Sequence, residues 1–388
     1  MNEHSVPSDS PPVTCDSPPV TCDSLPVACD SPPAASSSLR SNATHSSGCT
    51  ALGDPVWVSA SRPEPVDWQT AMKRAIRSQS HLRRFLGLPE SRDSSANVAE
   101  RFPTFVPLEL ASRIRPGDPG DPILRQVLAT SDELVEQPGF IDDPVGDLDA
   151  DAGGGVLHKY AGRALIVTHG ACAVHCRYCF RREFPYSQNS SRLQYWAPAV
   201  EYIRSDASVD EVLLSGGDPL TLTDGALDRL VGRIESIPHV RRLRIHTRLP
   251  IAIPQRITPD LVDRLARSRL SVWVVIHANH ANEIDENVGS AISALKRAGI
   301  SLLNQSVLLS GVNDDAKVLA DLSTKLINLG VQPYYLHQLD QVRGASHFWV
   351  DIERGKQIIG ELRDSLPGYA VPKYVIEHAG EKSKTPIA

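Results

Sequence analysis

Three cysteines stand close together at Cys172, Cys176 and Cys179. Their CxxxCxxC spacing puts three soft thiolates on one short loop. That loop directly follows the apolar run Ala164-Leu165-Ile166-Val167, which reads as a buried strand. Three thiolates so spaced can hold three irons of a 4Fe–4S cube and leave the fourth iron open to another ligand. A structural zinc site also takes thiolates, but it needs a fourth protein ligand. His175 lies inside the loop, poorly placed to complete a tetrahedron, and no cysteine follows Cys179. Zinc motifs also usually come as two paired halves. A disulfide would leave one thiol over. The cube fits this spacing better than either alternative.

Other residues suggest chemistry more weakly. Ser215-Gly216-Gly217-Asp218 follows a second apolar run, and its glycines let the backbone approach a ligand closely. A Gly-Gly after a strand is, however, often a plain tight turn. His277 and Gln305 fall near the ends of two later strands, where a lone histidine is more often structural. Lys384 sits in Ser383-Lys384-Thr385-Pro386, a polar tail in which a lysine by itself reads as solvated, and Lys382 is a near neighbour. Arg241, Arg242, Arg244 and Arg248 read mostly as surface or barrel-rim residues, and Asp132, Glu133 and Glu136 as a solvated face.

From Arg163 onward, strand and helix patterns alternate in units of roughly thirty residues, as βα repeats require. Strands are expected at 163–169, 211–215, 242–247, 271–277, 302–309 and 332–338. Helices are expected between them at 194–205, 224–236, 259–268, 287–298 and 315–329. Six units make the fold class α/β, a partial (β/α)6 barrel over residues 156–350, with a C-terminal segment at 351–388. Barrel chemistry collects at the C-terminal ends of the strands, and the cysteine loop, the Gly-Gly-Asp word and Asp340 all fall at or just past such ends.

Ahead of the barrel, residues 61–155 form a helical region. Its first helix runs from Asp67 to Leu86, with Ala71, Ala75, Leu82, Phe85 and Leu86 on one face and Gly87 and Pro89 as the stop. Residues 1–60 repeat a unit close to DSPPVTC, starting at Asp9, Asp16, Asp23 and, degraded, at Asp30. Proline in each copy rules out a coiled coil. Low apolar content predicts a disordered tail. Its cysteines, Cys15, Cys22, Cys29 and Cys49, have no chelating spacing.

The totals agree. A chain of 388 residues suffices for one large α/β domain with appendages. A net charge of −6 argues against a nucleic-acid partner. No apolar run nears the roughly twenty residues of a membrane span, and the N-terminus lacks a signal-peptide core. A cytoplasmic protein is expected, which suits reduced thiolates and an oxygen-sensitive cluster.

Several words, in order, carry a resemblance. They are Leu157-His158-Lys159-Tyr160, the run Cys172 to Arg182, Ser215-Gly216-Gly217-Asp218-Pro219-Leu220, Arg244-Ile245-His246, Asn304 to Leu309, Pro333-Tyr334-Tyr335-Leu336-His337 and Ser383-Lys384-Thr385-Pro386. The chain from about residue 65 onward resembles the lysine 2,3-aminomutase family of radical S-adenosylmethionine (SAM) enzymes. It is most similar to the branch that supplies β-lysine for modification of elongation factor P. The resemblance implies a 4Fe–4S cluster on Cys172, Cys176 and Cys179, whose open iron binds SAM. It places Ser215, Gly216, Gly217 and Asp218 at the methionyl end of SAM, with His277 and Gln305 nearby. It makes Lys384 the lysine of pyridoxal 5′-phosphate (PLP), with Tyr160 and Arg163 around the phosphate.

For the substrate, L-lysine, the resemblance puts Arg181 at the carboxylate and Asp340 and Glu377 at the distal amine. The family mutase has Asp at both of these last positions, so Glu377 reaches further by one methylene. The branch implies (R)-β-lysine handed to an elongation factor P ligase, an external one-electron reductant and, as a possibility, a homo-oligomer. Two alternatives stay open: a lysine 2,3-aminomutase making free β-lysine, and a non-catalytic iron–sulfur or zinc-binding protein. The free-metabolite enzymes usually carry further C-terminal residues with zinc-binding cysteines, which are not seen after Lys384. Deleting residues 1–55 is expected to leave turnover and folded yield unchanged, as an anaerobic assay of the truncated protein would read.

Overall fold

Period-two patterning dictates the barrel. In the strand Arg242–Thr247, Leu243, Ile245 and Thr247 are buried, while Arg242, Arg244 and His246 alternate with them and are half-buried. Neighbouring strands repeat this, with Ala164 and Ile166, Val212 and Leu214, and Val274 and Ile276 in the packed core under the helices. The opposite faces supply Arg163, Leu213, Ser215, Arg244, His246, Gln305 and His337 to a central lumen. A sheet buried on one side by helices and facing a polar lumen on the other needs this alternation.

The computed structural model describes residues 63–90, 98, 101–186 and 196–388. The repeat tail with Cys15, Cys22, Cys29 and Cys49, and the first two residues of the expected helix 194–205, lie outside the described residues. The described strands are β1 Val156–Tyr160, β2 Arg163–Val167, β3 Glu211–Ser215, β4 Arg242–Thr247, β5 Ser271–His277, β6 Ser301–Val307, β7 Gln332–His337, β8 Lys373–Ile376 and β9 Thr385–Pro386. They form one sheet in sequence order. β2 to β8 run parallel, and β1 and β9 pair antiparallel at the two edges. The six expected strands are β2 to β7. The sheet also extends into the C-terminal segment, where β8 adds a seventh parallel strand.

Among the helices are α1 Trp68–Lys73, α2 Gln79–Phe85, α3 Pro122–Val127, α4 Trp196–Ser205, α5 Asp224–Glu235, α6 Pro259–Ala266, α7 Glu286–Arg297, α8 Ala316–Leu329 and α9 Ile352–Ser365. The crossover helices start on local caps. Thr223, Thr258, Asp285 and Asp315 each accept a backbone N–H from the first turn of α5, α6, α7 and α8. Gly330 closes α8 in the left-handed region at φ 82°.

The single helix expected from Asp67 to Leu86 is two. Ile76 exchanges both backbone hydrogen bonds with Val106 (2.8 and 2.9 Å), and Ser78 caps α2 afresh through the His81 N–H. A tertiary bridge here outweighs helical periodicity, although Ala71, Leu82 and Leu86 keep their buried face.

Helix α9 packs on β8 through Gly355. A Cβ at that position would meet the Tyr374 hydroxyl at 2.3 Å, and this buried tyrosine donates to Gln338. Gly355→Ala therefore sets a helix-propensity gain of about 1 kcal/mol against overpacking that costs about 1–3 kcal/mol. We expect net destabilisation, read as a lower midpoint in chemical denaturation.

Candidate active site

The C-terminal ends of the strands surround a cavity of about 520 Å³. Each candidate residue lines it: Cys172, Cys176, Cys179, Ser215, Gly216, Gly217, Asp218, His277, Gln305, Tyr160, Arg163, Arg181, Asp340, Glu377 and Lys384. Lys384 faces the cavity beside β9, whereas Lys382 is exposed and does not line it.

The cysteine loop is fixed by its own intervening residues. His175 donates its Nδ1–H to the Pro103 carbonyl at 2.7 Å and stacks on Phe102, so its ring is committed away from the thiols. Arg177 forks onto both oxygens of Glu133 at 2.7 and 2.6 Å, and Arg182 adds a third bond at 2.7 Å. Glu133, expected on a solvated face, is 7% exposed. Two arginines from a distant loop make burying that carboxylate feasible. The three thiols are free, with no disulfide among them. Burial pushes the Cys179 thiol up to about 11 and the Cys172 thiol well above its ordinary value. Iron binding must therefore displace their protons. Among the described residues, no group of three His, Cys, Asp or Glu could hold a single metal ion. A cube takes one thiolate per iron, so its sulfurs need not converge on one point.

The glycines after β3 serve a close approach, but to protein backbone. A Cβ on Gly217 would lie 2.2 Å from the Ala171 carbonyl oxygen, and Gly216 has φ 111°. The Gly217 and Asp218 N–H groups donate to His169 and Ala171 (both 2.7 Å), which seats the β3 loop against the cysteine loop. The Asp218 carboxylate, 4% exposed, accepts from Thr247 and from the backbone of Leu220, Arg248 and Leu249. It pins two strand ends together.

A chain of alternating charges crosses the cavity. Lys384 pairs with Glu377. The other Glu377 oxygen accepts from Lys159 at 3.1 Å. Lys159 also binds Asp147 at 2.6 Å, Asp147 accepts from Arg181 Nε at 2.6 Å, and Arg181 donates to Ser215 at 3.1 Å. Burial opposes ionisation of Glu377, but Lys384 and Lys159 outweigh it and hold the carboxyl down at about 2. Asp147 is likewise held low against burial by Arg181 and Lys159. Asp340 differs. Burial pushes it up to about 7, with Lys384 pulling the other way, and its carboxylate takes no hydrogen bond or ion pair among the described residues. Tyr160 is raised by burial and by Glu377, so it stays a hydroxyl, and Arg163 lies 4.5 Å over its ring.

Burial keeps the lumen histidines neutral. His277 is lowered to about 3 and shares a 2.8 Å bond with Tyr178. His246 Nε2 and Arg244 Nε, both on β4, are buried without a partner among the described residues. Such orphans fit a polar group bound in the cavity.

Three residues escaped sequence reasoning. Asp147 comes from an Asp-rich turn with no distinguishing spacing. Lys159 lies inside a matching word but has no signal apart from it. Arg248, read as a rim residue, is 6% exposed and 2.6 Å from Cys176 Sγ.

Residues 166–322 match the model of the radical SAM superfamily. The L-lysine 2,3-aminomutase of Escherichia coli is 46% identical over 85% of this chain and 97% of its own. This chain belongs to the lysine 2,3-aminomutase family. The Haemophilus influenzae member is also 46% identical, over 83% of this chain and 96% of its own, and the Clostridium subterminale member 36%, over 83% and 77%. Lysine 2,3-aminomutases are radical SAM isomerases, which implies a 4Fe–4S cluster, SAM and PLP. The free thiols and the orphaned lumen atoms fit those groups.

Asp147→Asn would leave Arg181 and Lys159 buried with one anion fewer. It should cost about 3 kcal/mol of stability in denaturant titration, whereas an unchanged midpoint would show that the pairing is not needed.

Proposed function

We propose that this protein is a PLP-dependent L-lysine 2,3-aminomutase that makes (R)-β-lysine for modification of elongation factor P. The observation that carries the reading is one cavity lined by the three free thiols, by Lys384, by the Arg181 cation and by the unpaired carboxyl of Asp340. Cys172, Cys176 and Cys179 would hold the cluster. Ser215 to Asp218, with His277 and Gln305, would line the SAM site, and Lys384, Arg163 and Tyr160 would hold PLP. When bound, these groups supply a carbon radical and a conjugated system that stabilises the unpaired electron while nitrogen migrates.

The chain's own residues bind and orient the substrate. Arg181 is fixed at Nε by Asp147 and at one terminal nitrogen by Ser215, which pre-sets its guanidinium for the lysine carboxylate. Asp340 is the carboxyl with no partner to give up, so it suits the distal ammonium. Glu377 can join it only by sharing its lysines. The neutral lumen histidines add no positive charge that would compete for it.

The elongation factor P branch rests on the resemblance of the ordered words. An external one-electron reductant, a β-lysine ligase and a reducing cytoplasmic setting belong to the same reading. No helix among the described residues is long and apolar enough to cross a membrane.

The test is an anaerobic assay of reconstituted protein with lysine, SAM and PLP, read by mass spectrometry with chiral separation. (R)-β-lysine should form, and Lys384→Ala should abolish it. Asp340 must be ionised to bind an ammonium, so the KM for lysine should rise as pH falls through about 7. Asp340→Asn should raise KM throughout and flatten that rise. A KM insensitive to pH in the unmodified enzyme would remove Asp340 from the substrate site.

A further inference from the structure

Arg248 follows β4 directly and is nearly inaccessible to solvent. One terminal nitrogen lies 2.6 Å from Cys176 Sγ and 2.8 Å from the Tyr178 hydroxyl, inside the cysteine loop. The other donates to Gln126 at 2.7 Å and to Glu283 at 2.8 Å. Its backbone N–H is held by Asp218 at 2.7 Å. Glu283 is fully buried, and its other oxygen accepts from the Asn279 and His280 backbone N–H groups and from Gln126 (2.8, 3.0 and 3.1 Å). The guanidinium is therefore held from behind by a fixed anion, and its other terminal nitrogen is shared between the Cys176 sulfur and the Tyr178 hydroxyl.

Stability is a poor explanation for this arrangement. A buried ion pair is often no more stabilising than apolar residues of the same volume. Charge placed beside a thiolate has another effect. A 4Fe–4S cluster with three thiolates takes up one electron from an external donor, passing from the 2+ to the 1+ core, with no bond or proton transferred. Its net charge falls by one unit. Nearby positive charge and hydrogen bonds to sulfur favour the reduced form. Arg248 stands nearer the sulfur than Glu283 does, so the pair presents its positive end.

We propose that Arg248, oriented by Glu283, is a positioning residue that donates to the Cys176 sulfur and raises the reduction potential of the cluster held there. The proposal rests on Cys172, Cys176 and Cys179 being cluster ligands, which iron content tests separately from potential.

The experiment is an anaerobic redox titration of the reconstituted full chain, followed by electron paramagnetic resonance, with iron content measured on each sample. Arg248→Gln should shift the midpoint to more negative potential. At the wild-type midpoint, the reduced-to-oxidised ratio should fall about tenfold or more. Glu283→Gln removes the opposing anion and should shift the midpoint the other way. Arg248→Lys keeps the charge and should recover part of the loss.

A role in folding alone would lower iron content without moving the two midpoints in opposite directions. Midpoints unchanged at full iron content, or displaced in the same direction, overturn the proposal. If Arg248→Gln cannot hold iron, Glu283→Gln decides, and an unmoved or more negative midpoint overturns it. Loss of iron from all three variants also overturns it in favour of a structural role. No iron in the wild-type protein would sink the cluster assignment itself, and this proposal with it.

Discussion

The barrel is open, and one carboxylate spans the opening. β1 and β9 lie at opposite ends of the sheet. Glu377, just past β8, accepts from Lys159 of β1 and from Lys384 beside β9. No backbone ladder closes this seam among the described strands, so side-chain charge does. Removing either lysine would leave the carboxylate half compensated in a buried place, which is far costlier than never having buried the pair. Through Lys159 the same anion reaches Asp147 and Arg181, so the seam also sets the polar floor of the cavity.

The cavity is thus divided by charge. On the seam side, cations and anions alternate and are nearly balanced. Against the cysteine loop, a second buried network joins Arg248, Glu283, Gln126, Asn279 and Tyr178. The lumen also presents imidazoles that burial keeps uncharged. Such a lumen admits a charged substrate at fixed points and gives stray charge nowhere to settle. A site that shelters a reactive radical needs a preorganised interior of this kind.

Much of this was legible in the chain. Strands β2 to β7 announced themselves as short apolar or alternating runs spaced by helical patterns, and the cysteine spacing pointed to its chemistry. What was not legible depends on partners far away in sequence. Nothing local marks Glu133 as buried, since the reason is Arg177 and Arg182. Arg248 looked like one of several arginines on a strand, but it lies just past the strand end, where the chain turns inward. The short β8 and β9 lack the length for a pattern, and β9 consists of only Thr385 and Pro386. The helix break at Ile76 needed Val106 to be seen. Family words placed Lys384 in the site, whereas composition alone would have left it in solvent.

Each strand in this sheet pairs with its neighbour in sequence, so assembly can proceed by accretion from one edge to the other. The cysteine loop itself draws on partners as far along the chain as His277 and Asn279, which bond Tyr178. The Lys159–Glu377 bond joins residues 218 apart, and its closure entropy is the largest in this chain of charges. Because Lys384 sits beside β9, the last strand of the chain, the chamber that the cofactors must share is complete only when both edges of the sheet have met at Glu377.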